Sequence, residues 1–179
     1  MRDNLFRAVD DRLLTGVLPE EPTGILTGAG GYLTTGLDGQ ITLPNNADAI
    51  RAGVLQMRLL NFEPDVVFLN PTDAAMIDLT KSTDGHYIKL ELTNVIRSLR
   101  IIETTAVDPD MFLLMDTSKW IVQILEDFNI EFGWVDKDFQ ENKVTVVAEM
   151  RLHSYQNSID AGSVMYESFS AIRAAIEAP

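Results

Sequence analysis

Apolar positions along the chain follow three rhythms. Val66 to Leu69 is an unbroken apolar run, which predicts a strand covered on both faces. Val144, Val146, Ala148, Met150 and Leu152 alternate with Thr145, Val147, Glu149, Arg151 and His153, the period of a strand with one buried face. Extended from Lys143 to Tyr155 at about 3.3 Å per residue, that strand crosses a whole domain. Leu5, Val9 and Leu13 recur every fourth residue with Phe6 beside them, so Asp3 to Leu14 is predicted to be an amphipathic helix stopped by Thr15 and Gly16.

Other elements fill the gaps. Asn70 and Pro71 close the first strand and open a short helix, in which Ala74, Ala75, Met76, Ile77 and Leu79 form an apolar side and Thr72, Asp73 and Asp78 face water. Ser82 to Gly85 has turn chemistry. Val17 to Asn46 is crowded with Gly and Pro and admits only short strands, such as Ile25 to Thr27 and Gln40 to Leu43. Asn45 or Asn46 caps a helix whose Ile50, Val54, Met57 and Leu60 step by three or four towards Phe62. Lys89 to Leu92 and Ser98 to Thr104 are expected to be extended. Met111 to Met115, Trp120 to Leu125 and Phe128 to Val135 predict a meander of three strands with turns at Asp116 to Lys119 and Glu126 to Asp127. After a charged connection, Asp136 to Asn142, and the long strand, Asn157 to Gly162 turns the chain. Ser163 to Phe169 returns extended and Ala171 to Ala178 ends it as a helical turn. The series is α+β, a mixed sheet with helices against it.

Composition narrows the class. Hydrophobic residues make up 46%, enough for a folded core, but no apolar run approaches the roughly 18 residues of a membrane span. The start, Arg2, Asp3, Asn4, has no secretory-signal pattern. Absence of cysteine excludes disulfides and thiolate chemistry. With 14 basic and 27 acidic residues the net charge is −13, which disfavours binding to nucleic acid.

Candidate chemistry is sparse. The two histidines, His86 and His153, stand far apart and each is expected to be structural or exposed. No HExxH or calcium-loop spacing is present, so no metal or cofactor is predicted. The TGAGG cluster at Thr27 to Gly31 lacks the Lys-Ser/Thr of a phosphate loop. Carboxylates crowd Glu126 to Glu141, where a small acid hydrolase could be built on Glu131 and Asp136, or a solvated acidic rim formed. Trp120 and Trp134, among apolar neighbours, are expected in the core.

A strand ending in Asn70-Pro71, a short helix and the turn Asp84-Gly85-x-Tyr87 together resemble the major capsid protein of tailed bacteriophages, the Hong Kong 97-type fold. GVLPEEPTGILTG (Gly16 to Gly28) after a helical tail is similar to that family's passage from helix to loop. The strand Lys143 to Tyr155 and the return Val164 to Phe169 are similar to its closing strands. SLRIIET (Ser98 to Thr104) departs from the Gly-x-Pro-Val strand of many members.

The resemblance implies mixed and antiparallel sheets with flanking helices in two subdomains, peripheral from residues 1–33 and 143–179 and axial from residues 34–142. It implies a structural protein and not an enzyme, whose partners are copies of itself in pentamers and hexamers of an icosahedral shell around DNA. Sequence-specific nucleic acid, membrane and small-molecule partners are not expected. Its place would be the virion capsid of a phage or prophage, assembled in the bacterial cytoplasm. In the family an N-terminal arm, an extended hairpin loop and most of a spine helix precede the part matched here. A truncated piece, or a divergent product, without the cross-linking segment is therefore expected, and truncation is compatible with a monomer. An encapsulin-like cellular compartment is the alternative of the same fold. For subunit contacts, Arg97, Arg100 and Arg151 are candidates because guanidinium pairs carboxylates bidentately, and Asp136 and Asp138 offer acidic counterparts.

Overall fold

A computed structural model describes residues 2–16, 24–81 and 99–179. The predicted turn at Ser82 to Gly85, the segment Lys89 to Leu92, His86 and Arg97 lie outside the described residues, as does much of Gly16 to Gly28. The chain divides into two compact units, residues 28–120 with 156–179, and residues 1–27 with 121–155.

The first unit is built on a mixed sheet. Strand β1 (Val66–Leu69) pairs in parallel with β2 (Arg100–Glu103) and antiparallel with β3 (Met111–Met115), which pairs antiparallel with β6 (Val164–Ser168). The order is β2-β1-β3-β6, so the SLRIIET stretch supplies an edge strand. As its unbroken apolar run predicts, β1 is central, with Val66, Val67 and Leu69 all buried. Helices α3 (Asn46–Leu59), α4 (Pro71–Asp78) and α5 (Phe169–Ile176) contribute Ile50, Val54, Met57, Ile77, Phe169 and Ile172 to one core with Val67, Leu69, Phe112, Leu114 and Met165. Phe112 and Phe169 stack with centroids 4.6 Å apart.

Local chemistry sets the helix starts. Asn45 caps α3 by accepting the Asp48 N–H, while Asp48 accepts the Asn45 N–H in return, a capping box. Asn70 caps α4 by accepting the Thr72 N–H, and its amide donates to the Val107 carbonyl at 2.9 Å. Within α4 only Ala74 and Ile77 bury their side chains as the pattern predicts, whereas Met76 and Leu79 are exposed. Asp73, expected in water, is instead buried and accepts the N–H of Asp110, a residue held at φ 64°. A carboxylate at the third helical position thus fixes the turn that leads into β3.

The loop before α3 has little regular structure. Of the strand expected at Gln40 to Leu43 only an isolated bridge from Ile41 to Glu177 forms, and Leu43 adopts φ 52°, which breaks an extended run. Gln56, buried on α3, holds the loop by accepting the Leu33 N–H and donating to the Gly31 carbonyl.

The second unit is simpler. Helix α1 (Arg2–Thr15) accompanies a two-stranded sheet of β4 (Trp120–Gly133) and β5 (Thr145–Gln156). Leu5, Val9 and Leu13 are half-buried, the predicted stripe, and Phe6 stacks on Phe128 at 6.0 Å. Two expectations fail. Ile25 to Gly28 forms one helical turn, α2, not a strand, following Gly24, whose N–H donates to the Gly16 carbonyl. Glu126 and Asp127 form no turn: β4 runs straight through them, because the alternation Val122, Ile124, Phe128, Ile130, Phe132 keeps its phase across the pair. Of the expected three-strand meander, Met111 to Met115 forms as β3 but pairs with β1 and β6, and the other two strands are one strand of 14 residues.

Candidate interaction surfaces

The β4–β5 ribbon carries the most unusual surface among the described residues. At even positions from 120 to 134, β4 and its continuation read Trp, Val, Ile, Glu, Phe, Ile, Phe, Trp, one face of a regular strand. Ile124 is 60% exposed, Phe132 73% and Trp134 67%. The one charge in this series, Glu126, is met by Arg151 of β5 at 3.2 Å. Odd positions carry Asp127, Asn129 and Glu131, so the acidic residues project to the other side. Trp134 is thus not a core residue as expected: it stands in solvent with Phe139 edge-on at 6.1 Å. Trp120 does sit in the core of the other unit.

Beyond β4 the chain turns through residues 134–144. Asp138 organises this turn, its Oδ2 accepting from the Val135 N–H and the Thr145 hydroxyl. Both contacts favour the ionised form, and the hydroxyl, the larger of the two, holds the Asp138 carboxyl below the usual aspartate range. Asp136 and Asn142 adopt φ 55° and 54°, the left-handed conformation that short polar side chains tolerate best.

These placements sort the candidate contact residues. Asp136 and Asp138 share the turn and Arg151 lies on β5 of the same unit, committed to Glu126. Arg100 is exposed on the edge strand β2 of the other unit. No sequence reading singled out the stripe Ile124, Ile130, Phe132, although the signal was present in the unbroken alternation.

Asp127 accepts the Phe128 N–H, Glu131 accepts from the Asn129 amide and Glu141 pairs with Lys143. His153 stacks on Tyr155 at 5.4 Å. Two open depressions flank Pro44 and Arg173 in the sheet-bearing unit, of about 370 and 230 Å³. Their only titratable lining groups are Arg173 and Glu177. Among the described residues no group of three or more His, Asp or Glu could hold a metal ion, and no helix is long and apolar enough to cross a membrane.

A mixed four-stranded sheet carrying helices, with a separate helix-and-ribbon unit formed by chain that leaves and returns, defines the Hong Kong 97-type capsid fold. A model of the phage capsid family matches residues 1–154, and the chain belongs to that family. Its structure is similar to the capsid of an empty GTA particle computed with C5 symmetry, with a TM-score of 0.68 and 16% identity over 94% of this chain and 63% of that one. It is similar also to a chain of Mycobacterium phage Cain (0.64, 11% identity, 92% and 60%) and to the virus-like particle from Pyrococcus furiosus (0.57, 15%, 92% and 64%). The chain thus spans less than two thirds of the length of these proteins. No curated protein matches the sequence.

Proposed function

We propose that this chain is the shell-forming part of a phage or prophage major capsid protein, a structural subunit that associates with copies of itself into an icosahedral shell enclosing DNA. The observation that carries the reading is the family match over residues 1–154, on a fold shared with chains from capsid particles. In this reading the sheet-bearing unit is the axial subdomain, the helix-and-ribbon unit is the peripheral one, and Arg100, Arg151, Asp136 and Asp138 lie at contacts between copies. Such contacts repeat around each axis of the shell, so interfaces that are individually weak hold together by multiplicity. The protein would act in the virion, after assembly in the host cytoplasm. A wall of net charge −13 would hold packaged DNA without sticking to it.

Electron microscopy of the purified full chain at high concentration, with assay of nuclease-protected nucleic acid, tests this reading. Closed particles or regular subunit arrays support it. Absence of assembly together with turnover of an ester or glycoside that is lost in Glu131→Gln or Asp136→Asn overturns it. Particles holding a protein cargo and no DNA would point to the encapsulin-like alternative.

A further inference from the structure

We infer that Gly30 to Leu33 is a fifth strand of the mixed sheet, held one step short of pairing with β6 by the Glu167 carboxylate, so that the chain carries a latch with two states. The inference concerns the chain by itself and goes beyond the proposed function: it stands whether or not copies form a shell. Strand β6 ends the row β2-β1-β3-β6, so its outer side is open to one more strand. In a parallel ladder a residue of the added strand donates its N–H to one carbonyl and accepts, on its own carbonyl, the N–H two residues further on, while its chain neighbours face the other way. Gly30 makes this step. Its N–H donates to the Val164 carbonyl at 3.1 Å and its carbonyl accepts the Tyr166 N–H at 2.9 Å, a parallel bridge to Met165. Gly31 and Leu33 turn to the opposite side, where the buried Gln56 amide donates to the Gly31 carbonyl at 3.1 Å and accepts the Leu33 N–H at 2.6 Å. Those are the two contacts a further strand would make, so Gln56 holds the segment ready.

The next step on the β6 side belongs to Tyr32. A continuing ladder would send the Tyr32 N–H to the Tyr166 carbonyl and bring the Ser168 N–H to the Tyr32 carbonyl. Both donors go to Glu167 instead: the Tyr32 N–H to Oε2 at 3.2 Å and the Ser168 N–H to Oε1 at 3.0 Å. One carboxylate thus takes the two donors that the fifth strand needs, and the pairing stops at a single residue. Charge explains why the latch rests there, since a hydrogen bond to an ionised acceptor is stronger than one to a neutral carbonyl. Gly31 belongs to the fit, because a Cβ at that position would lie 3.0 Å from Oε2 and crowd the carboxylate. The paired state differs in one further respect: it sets the Glu167 carboxylate free. A guanidinium or ammonium group brought to Glu167 binds the free carboxylate better than the occupied one, and so shifts the balance towards the five-stranded sheet.

Two substitutions test the latch on the full chain. Glu167→Ala and Glu167→Met both remove the acceptor, and the second keeps the length of the side chain. In each, NMR couplings across hydrogen bonds are expected from the Tyr32 nitrogen to the Tyr166 carbonyl carbon and from the Ser168 nitrogen to the Tyr32 carbonyl carbon, neither of which the wild type shows. The two amides should keep their protection against hydrogen exchange, because each has found a backbone partner. If Glu167 merely caps two loose donors, the same substitutions leave both to water: no coupling appears and both amides exchange faster by about tenfold. That result overturns the inference. Unfolding of both variants, followed by far-UV circular dichroism, overturns it too, since donors released to β6 keep their partners and the fold with them. Couplings already present in the wild type would show that the ladder is complete and no latch exists. Assembly is scored separately by microscopy of the wild type, so this inference and the proposed function can fail independently.

Discussion

Gly53 lies directly beneath Met165. A Cβ at position 53 would press on the Met165 Cε and sit 2.7 Å from the Leu114 Cδ1, so α3 and the sheet meet closer than a side chain at position 53 allows unless its neighbours shift. Both obstructing atoms are the far ends of flexible side chains, which can move at a cost. Overpacking of this kind costs about 1–3 kcal/mol, and the better helix propensity of alanine returns up to about 1 kcal/mol. Gly53→Ala is therefore expected to lower stability by about 1 kcal/mol and Gly53→Val by clearly more, read as the urea midpoint. Equal stability of Gly53→Val and wild type would mean that the helix stands farther from the sheet.

Asn70 makes two contacts that no other side chain reproduces. It caps α4 through its carbonyl oxygen and satisfies the Val107 carbonyl through its amide. Loss of a cap costs about 1 kcal/mol and a buried carbonyl without a donor about 1–3, so Asn70→Ala should cost roughly 2–4 kcal/mol. Asn70→Asp keeps the cap but sets a carboxylate against the carbonyl oxygen. At neutral pH it should be no more stable than the alanine variant, and it should recover as the pH falls, since only the protonated carboxyl can donate to Val107. Thermal melts of both variants across pH check the sign.

Asp138 titrates below an ordinary aspartate because the Thr145 hydroxyl and the Val135 N–H bind its ionised form. A carboxyl whose folded pKa lies below its unfolded value stabilises fully above the unfolded value, and the contribution is lost as pH falls through the folded one. The turn at residues 134–144 should therefore hold at pH 5 and loosen only in strong acid. In an NMR titration Thr145→Val should move the Asp138 inflection up, towards the usual aspartate range. An unchanged inflection would remove the hydroxyl as the cause.

Trp120 buries an indole N–H with no acceptor among the described residues. Trp120→Phe removes that donor while keeping an aromatic ring, so the lost contact area and the relieved desolvation offset each other. A change within about 1 kcal/mol is expected, against about 3–5 for Trp120→Ala. A large loss in the phenylalanine variant would reveal a partner for the indole.

Where a rhythm was long and its boundaries chemically marked, the sequence was a good guide. The unbroken Val66–Leu69 run became the centre of the sheet, the Asn45 cap and the Asn70-Pro71 break held, and the long alternation after Lys143 became β5. Misreadings arose where local polarity was given more weight than phase. Glu126 and Asp127 looked like a turn, yet neither is Gly, Pro or Asn and the alternation continues across them, with Arg151 pairing Glu126 from the next strand. Asp73 looked like a solvated residue because its acceptor role depends on the N–H of Asp110, 37 positions away. Trp134 looked like core because composition cannot tell a strand face that is covered from one that is bare. The capsid resemblance was legible from the order of motifs, but an exposed stripe becomes visible only once accessibility is known.

The polypeptide passes from one compact unit to the other three times, near residues 27, 120 and 155. Neither unit can therefore be excised as an uninterrupted fragment. A chimera with a relative must trade segments in matched sets, 28–120 together with 156–179, or 1–27 together with 121–155, for each unit to receive its own halves. A single splice between those seams would join parts that never packed against one another.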